Sequence, residues 1–282
     1  MSDNRNIIKY KGMQILEKLG LLRFGNKLAF YADAANPYNL WHNSRYWLRG
    51  AADGSPIPPL RLIYLVAGTP SISWFLKSGQ LSVQSMRDLL RRNGYVLQDF
   101  KAILDFGCGC ARVLRHLRTL NSGNLYGTDY NDSLILWSKR NLPFARFSTN
   151  GLEPPTEFPD DTFDFIYGIS VLTHLPEMLQ FAWMNELSRV LKPGGLLYIT
   201  THGEYYMRRL NEQETRLFLS GELIVKLAAY PGTNFCTTFH PESYVRHKLA
   251  SQFVVVDFAP QGAEGSPQQD AYLLKKTGDQ AL

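Results

Sequence analysis

Residues 103–117, ILDFGCGCARVLRHL, join a short apolar run to two glycines one residue apart and then to a helical pattern. Ile103–Phe106 suits a strand buried on both faces. Gly107 and Gly109 allow the backbone to approach a ligand closely, and Val113, Leu114, Leu117 and Leu120 predict a helix over 110–120. Strand, glycine turn and helix form a cradle for a nucleotide-like cofactor, with free helix N–H groups offered to an anion. The dinucleotide motif requires glycine at its first, third and sixth places, here 107, 109 and 112, and position 112 is Arg. No G-K-[ST] follows, which excludes a P-loop.

Histidine supplies the other candidate chemistry, because its charge changes near neutral pH. The six are His42, His116, His174, His202, His240 and His247. His174 follows the fourth predicted strand and His202 the fifth, at the carboxyl edge where such sheets bind ligands. His240 closes the segment 203–239, just before a helix. His202 and His240 rank ahead of His174, for which a structural hydrogen bond in the turn before Pro176 is the expectation. Cys108, Cys110 and Cys236 give an odd count and no paired zinc spacing, so they read as packing residues, with no metal site.

The elements that must position these residues follow from periodicity. Strands are predicted at 103–106, 124–129, 144–149, 163–170 and 196–202, with helices at 132–141 and after Pro176 up to KPGG at 192–195. Strands alternating with helices imply right-handed crossovers and a parallel sheet. FVVVDFAP and AYLLKK, separated by a short loop, must instead pair as an antiparallel hairpin. The N-terminal side reads as a helix over 5–24, an aromatic connection over 31–60, an apolar run at Leu60–Val66 and a helix at 82–93.

At 282 residues with 45% apolar and 20% charged content, the chain is globular. The first fifty residues carry eight Lys/Arg against Asp3, Glu17 and Asp33, which is the whole net charge of +5. The remainder is balanced, and a neutral catalytic region is no groove for nucleic acid. Without a membrane-spanning run or a signal-peptide core, a cytoplasmic location is expected. Ile8, Ile15, Leu19 and Leu22 make residues 5–24 a basic amphipathic helix, suited to docking on the core or a dimer partner, or else to peripheral contact with an anionic membrane.

Four segments, LDFGCGCAR (104–112), TDY (128–130), FPDDTFDFIYGISVLTHLPE (158–177) and LSRVLKPGGLLYIT (187–200), resemble the class I S-adenosylmethionine-dependent methyltransferases over roughly residues 82–282. The resemblance implies an α/β, Rossmann-like fold: a seven-stranded, mostly parallel sheet with a C-terminal antiparallel hairpin, helices on both faces and, here, an N-terminal helical extension. It divides the chain into an extension, 1–80, and a methyltransferase domain, 81–282, with 203–239 capping the active site. For the cofactor S-adenosyl-L-methionine, it implies Gly107 and Gly109 against the methionine part and Asp105 facing its ammonium. N–H groups near Ala111 and Arg112 suit its carboxylate, and Asp129 the ribose hydroxyls. Tyr130 would lie along the adenine, Asn150 and Gly151 at the adenine edge, and Ile169 and Ser170 beside the sulfonium. Ala111 departs from the family, which often has a third glycine there.

The reaction implied is in-line methyl transfer, which needs a base only when the acceptor arrives protonated. The expected acceptor is a polar small molecule or saccharide, methylated on oxygen, chosen by the aromatic-rich segments 60–80 and 203–239. The alternative is a catalytically silent, cofactor-binding relative that acts as a partner protein.

Overall fold

The computed structural model describes residues 20–120, 124–266 and 268–277. Most of the predicted helix over 5–24 lies outside them. The first described helix, α1, spans Leu22–Ala34, and α2 spans Pro37–Arg49. Asn36 caps α2, its side chain accepting from the Tyr38 amide at 2.9 Å, and Pro37 stands at the first position, where a missing N–H costs nothing. The apolar run at Leu60 is a helix, α3, Leu60–Ala67, ended by Gly68 in the left-handed region. The helix expected over 82–93 begins earlier: α4 runs Ile72–Arg92, capped by Ser71, whose hydroxyl accepts from Trp74 N. The division at residue 80 falls inside it.

The central sheet has seven strands: β1 Ala102–Phe106, β2 Asn124–Asp129, β3 Arg146–Thr149, β4 Phe163–Gly168, β5 Leu191–Thr201, β8 Phe253–Ala263 and β9 Gln269–Lys276. Their order is β3-β2-β1-β4-β5-β9-β8. The first five are parallel, while β9 runs antiparallel to β5 and to β8, so the closing hairpin is present. Helices α5 (Asp132–Asn141) and α6 (Glu177–Val190) supply crossovers. KPGG does not follow a helix that it stops; α6 ends at Val190 and Lys192–Gly195 lie within β5. A register shift between the Phe163 and Phe165 pairings accommodates them.

Successive β1 residues bury on opposite faces, as the apolar run requires. Ile103 packs with Met86, Leu90 and Phe165, whereas Leu104 packs with Ile166, Trp183 and Leu197. The predicted helix over 110–120 is the main departure. Residues 109–113 form turns, and only Leu114–Leu117 make a 3-10 turn. Ala111 at φ 59° interrupts helical backbone, and the buried Arg115 is drawn to the N-terminal side. Its guanidinium donates to both Asp53 oxygens, at 2.6 and 2.9 Å, and to the carbonyls of Ser55 and Pro56. Segment 203–239 holds α7, Glu212–Leu219, and a two-stranded sheet, β6 Ile224–Lys226 with β7 Thr237–Phe239. The predicted helix after Pro241 is α8, Glu242–Tyr244, continued as a π turn over Val245–Leu249.

Candidate functional site

A cleft of about 440 Å³ opens at the carboxyl ends of β1, β2 and β4, where the strand order reverses beside β1. Of the residues expected at the cofactor, Asp105, Gly107, Gly109, Arg112, Asp129, Tyr130, Asn150, Gly151, Ile169 and Ser170 all line it. Ala111 does not. It is fully buried, and its amide donates to the Cys108 carbonyl at 2.9 Å, so that N–H is not open to a carboxylate. With no helix beginning at residue 110, the cleft wall there is the Arg112 side chain, whose Nη1 donates to Ser78, Ser82 and the Gly265 carbonyl.

The glycine turn is forced by contact as well as by conformation. Gly107 and Gly109 sit at φ 72° and 57°, and a Cβ on Gly109 would come 2.6 Å from Val66. One on Gly107 would collide with Val171. Asp105 lies at the floor, and its Oδ2 is buried without a hydrogen-bond partner. Burial raises its carboxyl to about 8. Asp129 ends β2, its Oδ2 accepting from the Gly109 amide and its Oδ1 from Asn131, both at 2.9 Å. Burial pushes its pKa up as well.

These features fit S-adenosylmethionine. The unpartnered Asp105 oxygen offers a counter-charge to an ammonium, and the glycine turn leaves room only for a bare backbone. Each Asp129 oxygen keeps a lone pair for a ribose hydroxyl. Asn150 lines the cleft with its side chain partly engaged. Its Oδ1 accepts from Thr128 at 2.7 Å and its Nδ2 donates to the Gly151 carbonyl at 2.6 Å, so its side chain shapes the turn after β3. Ser170 takes φ 62° for a residue with a Cβ, a conformation held by its surroundings. Its amide donates to Thr200, and its hydroxyl accepts from Gln269 at 2.8 Å.

The three histidines separate by position. His174, half-buried, lines the cleft. Its Nδ1 lies 2.8 Å from the Cys236 carbonyl. A carbonyl only accepts, so Nδ1 carries the proton and Nε2 keeps its lone pair. Burial lowers its pKa, which holds the ring neutral. His202 stands behind the wall: Nδ1 is 3.1 Å from the Thr238 carbonyl and Nε2 3.2 Å from Gln269 Nε2, which accounts for both nitrogens. Burial lowers its pKa strongly. His240 is fully buried and outside the cleft lining, with Nε2 3.0 Å from Gln180 Oε1 and burial holding its pKa down at about 3. The expected ranking of these histidines is therefore reversed in space.

The segments expected to choose the acceptor meet over the cleft. Gly232 packs on the Tyr130 ring, and its carbonyl accepts from the Tyr130 hydroxyl at 2.9 Å. Asn234 Nδ2 donates to the Leu65 carbonyl of α3 at 3.0 Å. Trp74, Tyr206 and Phe235 line the space beneath, whereas Phe75 and Phe218 are core. Gln269, which ties Ser170 to His202, has no sequence signal beyond its place at the closing hairpin.

The sequence matches the methyltransferase domain family over residues 79–258. Among similar proteins, a sterol 24-C-methyltransferase of Schizosaccharomyces pombe is 34% identical over 99 residues, 33% of this chain and 26% of that protein. A tRNA N(3)-cytidine methyltransferase of Gallus gallus is 32% identical over 120 residues, 38% of this chain and 32% of that protein. The chain spans about a quarter to a third of the length of these relatives. A solved S-adenosylmethionine-dependent methyltransferase from Methanosarcina mazei shares the fold, with a TM-score of 0.50 at 20% identity over 67% of this chain and 98% of that one. The cradle after β1, the carboxylate ending β2 and the reversed last strand thus agree with the sequence match, and the chain belongs to the methyltransferase domain family, in its class I, S-adenosylmethionine-dependent form.

Proposed function

We propose that the protein transfers the methyl group of S-adenosylmethionine to a hydroxyl of a polar small molecule or saccharide held beneath the loop 230–236. The observation that carries this reading is His174: a neutral imidazole in the cleft wall whose bare Nε2 can take a proton. The bound cofactor supplies an electrophilic methyl carbon and a neutral thioether leaving group. An acceptor hydroxyl set against His174 Nε2 would give up its proton there as its oxygen takes the methyl group. Cys236 holds the ring in the tautomer required, as an orienting acceptor does in other acid–base sites. Ser170 and Ile169 bound the space at the end of β4, and the loop 230–236 is fastened over Tyr130 by its bond to the Gly232 carbonyl.

The cleft favours a small acceptor over a polynucleotide. Arg112 is its sole Lys or Arg among the described residues, and that guanidinium is already bonded to Ser78, Ser82 and Gly265. Phosphate binding needs clustered cations. The test is S-adenosylhomocysteine formation by the full chain against sugar, phenolic, lipid and tRNA acceptors. A sugar, a phenol or a lipid with a hydroxylated polar head is expected to turn over, and His174→Ala to lower the rate by about 10²-fold or more at unchanged cofactor affinity. Turnover of tRNA alone, or a His174→Ala rate equal to the wild type, would overturn the reading.

A further inference from the structure

Nine of the seventeen exposed large apolar side chains among the described residues fall between residues 20 and 50. On α1, Phe24, Leu28 and Tyr31 repeat at four and three residues, which places them on one face of the helix, and all are more than half exposed. On α2, Tyr38, Trp41 and Leu48, spaced by three and seven residues, also share one face, at 68%, 78% and 85% exposure. Amphipathic helices ordinarily turn such stripes inward. The polar content of this stretch is cationic, with Arg23, Lys27, Arg45 and Arg49 against Asp33 alone. Among the described residues, none of Lys27, Arg45 and Arg49 has a carboxylate partner.

We infer that α1 and α2 dock the protein on an anionic lipid bilayer, with their tryptophan, tyrosine and leucine side chains in the headgroup region and their cations on the phosphates. Amphipathic aromatic rings and basic side chains on the same helices are what such an interface takes. The charge argues against the other occupants. A second copy meeting this face by two-fold symmetry would set like charge against like. Residues 1–19 carry Arg5, Lys9, Lys11 and Lys18 against Asp3 and Glu17, so they too are net basic. Asn26, on the side of α1 opposite Phe24, Leu28 and Tyr31, lines the cleft with Leu65 of α3, so α1 stands between the cleft and the docked face. Resting on the methyl-transfer reading, this names an acceptor whose polar head reaches the cleft while its chain stays in the bilayer.

The test is co-sedimentation of the full chain with vesicles of phosphatidylcholine and phosphatidylglycerol, and with phosphatidylcholine alone. Binding is expected to the mixed vesicles and to weaken as salt is raised. Lys27→Glu with Arg49→Glu is expected to weaken it about tenfold or more. Trp41→Ser with Leu48→Ser is expected to weaken it also, whereas Met178→Ser, at a 78% exposed site elsewhere, leaves it unchanged. No binding by the wild type, equal binding by all variants, or a dimer by sedimentation velocity that the Trp41 and Leu48 changes dissociate would each overturn the proposal. So would binding only after removal of residues 1–19. Calorimetry with S-adenosylhomocysteine on the same protein separates the two readings: vesicle binding without cofactor binding sinks methyl transfer alone, and the converse sinks docking alone.

Discussion

Asp105 and His174 are buried to different ends. The carboxyl is forced towards its neutral form and left with an unpartnered oxygen, while the imidazole is kept neutral with one nitrogen tied and the other bare. The first has a consequence for binding. In the free protein Asp105 keeps its proton up to about pH 8, whereas the unfolded chain loses it near 3.8. Between those values the folded state binds more protons, so this group's contribution to stability falls as pH rises. An ammonium placed beside it favours the carboxylate and expels the proton. Calorimetry of S-adenosylhomocysteine binding at pH 7, in buffers of differing ionisation enthalpy, should show release of about one proton by the wild type and close to none by Asp105→Asn. Equal release by both proteins would show that Asp105 does not meet the ammonium. Gly107, Gly109, Asp105 and Asp129 were legible because a single strand–turn segment and a single strand end carry them. The order of the histidines was not, because Gln180 and Gln269 reach His240 and His202 only through the fold.

At the scale of elements, strands buried on both faces announced themselves as apolar runs, and β1, β2, β4, β5 and the closing hairpin stand where those runs lie. Three-residue strands such as β6 and β7 have too few positions to show a period. The helix expected over 110–120 had the right apolar spacing but depended on backbone that Ala111 does not adopt. The Arg115–Asp53 pair explains what that segment does instead: it fastens the N-terminal side to the sheet with a fully buried guanidinium. Burial opposes the Asp53 charge, but the Arg115 hydrogen bond and charge together with the Ser55 amide outweigh it and hold the carboxyl below its usual range. Arg115→Met would strand Asp53 and two carbonyls, and should cost about 3–5 kcal/mol in urea unfolding at neutral pH. A loss of less than about 1 kcal/mol would show the pair to be replaceable by packing. Because the Asp53 pKa is depressed, its part of this stability is present above pH 3.8 and is lost as pH falls through the folded value.

Over the whole molecule, function is concentrated at one edge of the sheet. The strands deliver a carboxylate floor, a glycine turn and a carboxylate rim, and two segments outside the sheet, α3 with the start of α4 and the loop 230–236, close over them. No helix among the described residues is long and apolar enough to cross a membrane. The excess charge falls within the first fifty residues of the sequence, apart from the segments 104–112 and 128–130 that form the cofactor cradle. The central claim is that this cradle holds S-adenosylmethionine, and titration calorimetry of the full chain with S-adenosylhomocysteine tests it most directly. A saturable single-site isotherm is expected, with Asp129→Asn weakening it by about tenfold or more, since a charged acceptor bonded to ligand hydroxyls contributes about 1.5–3 kcal/mol. No heat with the wild type, or the same affinity after Asp129→Asn, would contradict the account.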